Sequence, residues 1–318
     1  MTVRPVRPLG GLAAAWRGCS RTERGCYVLA GLLAVSGITH AAILVVTGGS
    51  WDGPLSWRKP ASFGVSFGLT LATVTWVLSR LPRRAPAAIL VPFAVACLDE
   101  VVVITVQAWR GLPSHFGLSG PGSGLVSGAA AAGAVVVVVT MTAATGVVLR
   151  AQPGIAPSMR LALRAGFASL LVALALGVSM LVGGILISRA DPTEAGTTAA
   201  FAFSAGIKPG HAATMHGVLV LPVLAWLLSF TGRPERFRLA LVRLASAGYG
   251  LLAGAVVVEV LAGLDPLAGP SAVGTVLGAL GGLALVAAIA WTLVALGRDR
   301  RVEALPGLRS DPGSRASR

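Results

Sequence analysis

Cysteine is nearly missing from this chain: 318 residues hold only Cys19, Cys26 and Cys97. Three scattered thiols exclude a disulfide framework and a C-x-x-C metal site. Charge is scarce as well, at 12% against 55% hydrophobic residues. That excludes an ordinary soluble domain, in which about a quarter of residues are charged. Lysine occurs only at Lys59 and Lys208, the other basic residues being arginine. With the abundance of Ala, Gly and Val, this skew matches a GC-rich, actinobacteria-like genome. No internal repeat is visible, nor the paired broken helices of many transporters.

What is present is a series of long apolar runs separated by short basic loops, with a mean hydropathy of +0.80. Eight runs reach the ~20 residues that cross a hydrocarbon layer, near 25–47, 62–80, 86–110, 124–148, 164–188, 211–231, 240–262 and 270–296. The pattern predicts an all-α, multi-pass protein of the bacterial inner (cell) membrane. With both termini cytoplasmic, the inner segments hold 21 of the 26 basic residues; outside remain Arg58, Lys59, Arg110, Arg189 and Lys208. This positive-inside bias accounts for the net charge of +14 without a nucleic-acid partner. The expected organisation is a basic N-terminal segment 1–24 ending in an uncleaved signal anchor, one membrane domain 25–297, and a polar, disordered tail 298–318. Small residues at helical spacing in span four (SGAAAAGAVVVVV) and span eight (Gly274, Gly278, Gly282) are expected to let backbones pack closely.

Against that apolar background a few side chains stand out. Asp99 and Glu100 are adjacent in the middle of FAVACLDEVVVITVQAWRG. A charge at that depth costs roughly 2.5–3.5 kcal/mol on insertion scales, so such acids are functional candidates. His40, Gln107, His211, His216 and Glu259 all fall in the predicted outer half of the bilayer. Glu100 and Gln107, seven apart, share a helix face, as do Asp99 and Arg110. Arg110 lies about 16 Å above Asp99, too far for a direct pair. His211 and His216 are about 140° apart, too far round a regular helix to chelate one metal. His115 is expected in a loop, exposed or capping, and Trp51, Trp57 and Trp109 in an interfacial aromatic belt.

Three motifs occur together: WRKPASF from Trp57 to Phe63, QAWRGLPSHF from Gln107 to Phe116, and GIKPGHAATMHGVLVLP from Gly206 to Pro222. They resemble the W-x-K-P-x-x-F, Q-x-x-R-G-x-P-S-H-F-N and G-D-L-R-x-x-H-x4-H-x-x-Q-x-L-P patterns of a largely uncharacterised family of polytopic bacterial membrane proteins. The matched positions include Trp57, Lys59, Glu100, Gln107, Arg110, His115, His211 and His216. Lys208 keeps the charge of the family's arginine. Gly117, Ala205, Gly206 and Leu219 depart from its Asn, Gly-Asp and Gln, which suits a more apolar pocket. In size and membrane character the chain is also similar to the membrane-bound terpene cyclases of actinomycete pathways.

Three functions remain open at this point. The first is an intramembrane acid–base enzyme acting on a lipophilic, isoprenoid-type substrate by proton-initiated cyclisation or isomerisation, without cofactor or metal. Adjacent acids in an apolar span can keep a proton for an alkene, and aromatic faces can stabilise cations. Here Asp99 and Glu100 are the acid pair, His40 or His216 takes the last proton, and Glu259 shapes the polar end. Gln107, Arg110, Lys59, Trp57 and His211 bind substrate. The second is a b-type haem redox protein with His40 and His216 as axial ligands. The third is a proton-coupled transporter relaying through the carboxyls. Oligomeric state is open.

Overall fold

A computed structural model describes residues 16–48, 51, 55–81, 87–113, 116, 123–150 and 153–303. The first fifteen residues, His115 and the tail from 304 onward lie outside it. Among the described residues the fold is all-α. The helices are α1 (Arg21–Thr47), α2 (Arg58–Arg80), α3 (Ala87–Trp109), α4 (Ser123–Leu149), α5 (Pro157–Ala190), α6 (Glu194–Met215), α7 (Gly217–Leu228), α8 (Glu235–Leu261) and α9 (Ala272–Glu303). With α6 and α7 taken as one broken helix, eight are long and apolar enough to cross a membrane. Large apolar side chains such as Leu32, Val45, Val95, Leu283 and Val286 stay exposed on the bundle, as lipid-facing residues do.

Local chemistry sets the helix ends. Ser20 and Glu23 form a reciprocal capping box on α1, satisfying two backbone donors that would otherwise be orphaned. Gly48 ends that helix at φ 62, a conformation that glycine adopts without penalty. Pro157 opens α5, and the Ser158 N–H there donates to Glu235 Oε1 at 2.7 Å. Glu235 thus ties the start of α8 to the start of α5.

Two expected boundaries shift. The segment read as an outer loop after residue 188 is helical: α5 runs 34 residues and α6 begins at Glu194. Its Ala, Thr, Ser and Gly residues are too polar to read as a span, yet Ala-rich sequence favours helix and packs along α5. At 1.5 Å per residue α5 is about 51 Å long, well beyond the ~30 Å hydrocarbon layer. The α5–α6 hairpin is therefore long enough to extend beyond that layer. At the other end α9 continues to Glu303, six residues past the expected start of the tail.

The packing falls into two groups of four spans. α1, α2, α3 and α4 pack among themselves, and so do α5 through α9; the groups meet along α4–α5 and α2–α7. Glycines set the closest crossings. A Cβ on Gly64 would stand 2.6 Å from the Gly37 nitrogen across α1–α2, and one on Gly166 would stand 2.8 Å from the Gly217 carbonyl oxygen across α5–α7. In the α8–α9 crossing the close pair is Gly248 and Gly281, not the expected Gly278 and Gly282. A shared apolar core joins the groups through Phe93, Cys97, Val101, Met141, Phe167, Leu170, Leu174 and Val218. Beyond Val101 and Leu174, toward the hairpin, that core ends.

Candidate functional site

Helix ends near Arg80, Arg160, Arg164, Arg233, Arg236 and Arg243 define an arginine-rich face. Measured from it at 1.5 Å per residue, His216 and Glu100 stand near 18–20 Å. His211 stands near 26 Å, and His40, Gln107, Lys208 and Lys59 near 28–31 Å.

The acid pair converges. Glu100 is buried, 4% exposed, and Asp99 is half-buried. Adjacent residues on a helix point about 100° apart, yet both carboxyls turn to one place on α4. A methyl group on Gly133 would stand 2.5 Å from Asp99 Oδ2 and 3.3 Å from Glu100 Oε1. One of the small residues read as a packing device thus makes room for two carboxyls. Nothing in the α3 sequence points to this partner; only the glycine's place in an apolar run was visible.

Above the pair lies a layer of motif residues. Gln107 is buried and occupied locally: Arg110 Nη1 donates to Gln107 Oε1 at 3.0 Å, and Gln107 Nε2 donates to the Pro113 carbonyl at 3.2 Å. These two bonds fasten the chain leaving α3. His40 is buried in an aromatic cluster, stacked on Trp57 with centroids 5.9 Å apart, while Trp57 and Trp109 meet edge to face at 5.1 Å. Trp109 Nε1 donates to His40 Nε2 at 3.1 Å, and His40 Nδ1 lies 2.7 Å from the Ser36 carbonyl. The geometry assigns the neutral Nδ1–H tautomer, with both ring nitrogens engaged. Trp57 and Trp109, expected as belt residues, also flank the histidine, and Trp109 stays largely exposed.

The two groups of helices touch here through side chains. Lys59 is 9% exposed, and its Nζ sits 3.7 Å from the centre of the Phe201 ring on α6. Phe201 packs edge to face on Phe116 at 5.4 Å, and the Phe116 ring covers Gly184 so closely that no Cβ would fit. Phe116 has φ 62, a left-handed conformation that costs a non-glycine residue of order 1–3 kcal/mol and tends to cluster at functional sites. Thr197 Oγ1 donates to the Phe116 carbonyl at 3.4 Å. The QAWRGLPSHF motif thus ends in a wedge against the α5–α6 hairpin.

The histidines of the third motif part company. His211 Nδ1 lies 2.8 Å from the Ala173 carbonyl, joining α6 to α5. His216 stands exposed at the break between α6 and α7, with Nδ1 against the Ala212 carbonyl at 2.5 Å. Next to that break the Ser169 hydroxyl donates to the Thr214 carbonyl at 2.6 Å and the Tyr249 hydroxyl donates to the Ala213 carbonyl. Side chains inserting into the backbone ladder are a recognised cause of such interruptions. Ser169 and Tyr249 gave no sequence signal.

Glu259 belongs elsewhere. It is 3% exposed and occupied by the start of α9: Ser271 Oγ donates to Oε1 at 2.5 Å and the Ser271 N–H donates to Oε2 at 3.0 Å. Gly274 leaves the space its carboxyl fills. This is a helix-capping carboxylate at the positive end of the α9 dipole.

The residues do not fit a b-type haem held by His40 and His216. His40 Nε2 already accepts the Trp109 indole proton, and α1 packs on α2 and α3 rather than α6 or α7. Among the described residues no group of three or more His, Cys, Asp or Glu side chains could hold a metal ion. No protein-family profile, curated protein or solved structure matches this chain.

Proposed function

We propose that the protein is an intramembrane acid–base enzyme acting on the hydrocarbon part of a lipophilic, isoprenoid-type substrate. The observation that carries this reading is the convergence of Asp99 and Glu100 on Gly133. Two carboxyls turned to one point can divide the work of giving and receiving a proton between them. The reaction is redox-neutral. A proton passes from the pair to an alkene carbon, forming a C–H bond and leaving a carboxylate and a carbocation. The cation closes a ring or shifts its double bond. A proton lost from a neighbouring carbon returns to the carboxylate and restores the acid. His40 has no share in this step, because its nitrogens hold the aromatic cluster together. The substrate enters from the lipid, on the half-buried side of Asp99.

A second reading, a proton-coupled transporter, draws on the helix interruption at His216. It lies near the depth of Glu100, and discontinuous helices near the midplane frame the sites of many transporters.

One experiment separates the two. Protein reconstituted in nanodiscs of defined lipid is incubated in D2O with polyprenyl substrates, and products are read by mass spectrometry. With the restored acid exchanging its proton with solvent between turnovers, the enzyme reading expects one solvent deuteron per turnover and its loss in Glu100→Gln, with expression intact. Full deuterium incorporation by that variant overturns it. Substrate-dependent proton flux in liposomes without chemical change supports transport instead. Reporter fusions after Arg84 and Gly120 are expected to read cytoplasmic and external sides.

A further inference from the structure

One exposed stripe of α9 has the order of a membrane lipid. Arg298, Trp291 and Leu280 are all exposed. Seven residues separate Arg298 from Trp291 and eleven separate Trp291 from Leu280, so the three lie within about 20° of one another around the helix. Along the axis Arg298 stands about 10 Å from the indole toward the arginine-rich face, and Leu280 about 16 Å from it in the other direction. The second distance matches one leaflet of a ~30 Å hydrocarbon layer. Going inward, the stripe runs from cation to indole to apolar surface, with the exposed Ala287 between Trp291 and Leu280.

A second cation is already placed on that stripe. Arg233, in the turn between α7 and α8, lays its guanidinium over the Trp291 ring, with Cζ 5.4 Å from the centroid. Phe237, in the first turn of α8, packs on the same ring with centroids 4.7 Å apart. The indole is thereby wedged between α8 and α9, and the guanidinium rests on it. A guanidinium stacked on a ring keeps its N–H groups in its own plane, where they can grip two oxygens at once. No carboxylate claims Arg233 or Arg298. Among the described residues the ion pair at this end is Arg238 with Glu235 at 3.0 Å, and the other Glu235 oxygen takes the Ser158 N–H. Arg243 is exposed on α8 but points about 120° away from the Phe237 face.

We propose that Arg233, Arg298 and Trp291 form a seat for one anionic glycerophospholipid of the leaflet on the arginine-rich side. The two guanidinium groups take the phosphodiester, the indole lies at the glycerol level, and an acyl chain runs along Ala287 and Leu280. Indoles favour that interfacial level, and arginine grips phosphate through paired N–H donors. Two cations without a carboxylate select a head of net negative charge, since a phosphocholine head brings a cation of its own. A lipid held there joins the α7–α8 turn to the end of α9. The seat shares no residue with the acid pair and stands whether or not the acid–base reading does.

The test is lipid retention by purified full-length protein in mild detergent, read by native mass spectrometry. The thermal midpoint is a second readout, because a ligand that binds the folded state raises it. The probes are palmitoyl-oleoyl phosphatidylglycerol, the matching phosphatidylcholine and glycerol 3-phosphate. One arginine near an anionic lipid surface is worth a factor of about five. From an equimolar mixture, phosphatidylglycerol is therefore expected to be retained about tenfold or more over phosphatidylcholine, and Arg233→Gln and Arg298→Gln each to lower that preference about fivefold. Arg243→Gln is expected to leave it unchanged. Equal retention of the two lipids overturns the seat. An equal loss in Arg243→Gln also overturns it, by assigning the preference to the diffuse charge of the whole face. Glycerol 3-phosphate raising the midpoint as far as the lipid does assigns the site to a free anion and overturns the lipid part. Arg298 is exposed, so its variant carries the test if Arg233→Gln fails to fold, and an unchanged preference in Arg298→Gln overturns the seat.

Discussion

Gly133→Ala is the sharpest perturbation of the acid pair, because it touches neither carboxyl chemically. The new methyl would stand 2.5 Å from Asp99 Oδ2 and 3.3 Å from Glu100 Oε1, so the Asp99 carboxyl must move by about an ångström to restore ordinary contact. Overpacking of this kind costs about 1–3 kcal/mol, and replacing a mid-helix glycine by alanine returns about 1 kcal/mol. The net loss is therefore about 0–2 kcal/mol, small enough for the protein to remain folded. Geometry is less forgiving, since a misplacement of about 1 Å can cost 10²-fold in rate. Thermal unfolding in detergent should shift little while deuterium incorporation falls by about two orders of magnitude. Gly128→Ala, on the same helix with nothing within 4 Å of the added Cβ, should leave turnover unchanged and raise stability by up to about 1 kcal/mol. In the double variant Asp99→Ala/Gly133→Ala the space is returned, so stability should recover and turnover should not. Full turnover in Gly133→Ala would refute the convergent-pair mechanism.

Other expectations follow from single contacts. In the α8–α9 crossing, Gly281→Ala would drive a methyl to 2.5 Å from the Gly248 carbonyl oxygen, whereas Gly282→Ala meets nothing within 4 Å. Backbone cannot yield as a side chain does, so the first should cost about 1–3 kcal/mol or more and the second should stabilise by up to about 1 kcal/mol, read as thermal midpoints. Glu259→Gln should lower stability by about 0.5–2 kcal/mol, the range of a lost cap, increase hydrogen exchange at the start of α9, and leave turnover intact; abolished turnover would return Glu259 to the site. At the tip of the α5–α6 hairpin, hydrogen bonds from the Thr193 hydroxyl and N–H hold the Asp191 carboxyl below its ordinary 3.8. A group lowered on folding stabilises fully above its unfolded value and loses that contribution as pH falls through the folded one. Amide exchange at Thr193–Gly196 should therefore rise below about pH 4, and Asp191→Asn should abolish that dependence.

How far the sequence reached depends on the kind of information each feature needs. Eight spans were legible because crossing a bilayer demands ~20 apolar residues in a row, a property of the chain alone. The hairpin extension was not. Residues 194–210 carry too much Thr, Ser and Gly for a hydropathy reading, and their helix depends on α5 as a partner. Asp99 and Glu100 stood out because acids are rare in such runs, but their meeting point on Gly133 is a relation between two helices and leaves no mark in either. The contacts of Trp57 and Trp109 with His40 were hidden for the same reason: an aromatic near a helix end reads as an interfacial anchor, and the histidine beside it is seen only in the fold. Glu259 was visible as an intramembrane acid, yet its role as the cap of α9 requires knowing that Ser271 comes back to it.

The two-group packing bears on which function the chain can support. Transport needs the groups to move against each other around a central site, and a continuous apolar core resists that because close-packed interiors are poorly compressible. Here Phe93, Cys97, Phe167, Leu170 and Val218 lock the groups together from the arginine-rich face to about the depth of Glu100. Only the level of Lys59, Phe116 and Phe201 is joined by a few side chains. Such a continuous core favours the proposed enzyme over the transporter reading. The break at His216 fits the same view: the hydroxyls of Ser169 and Tyr249 hold its carbonyls from two neighbouring helices. It is an interruption anchored from two sides.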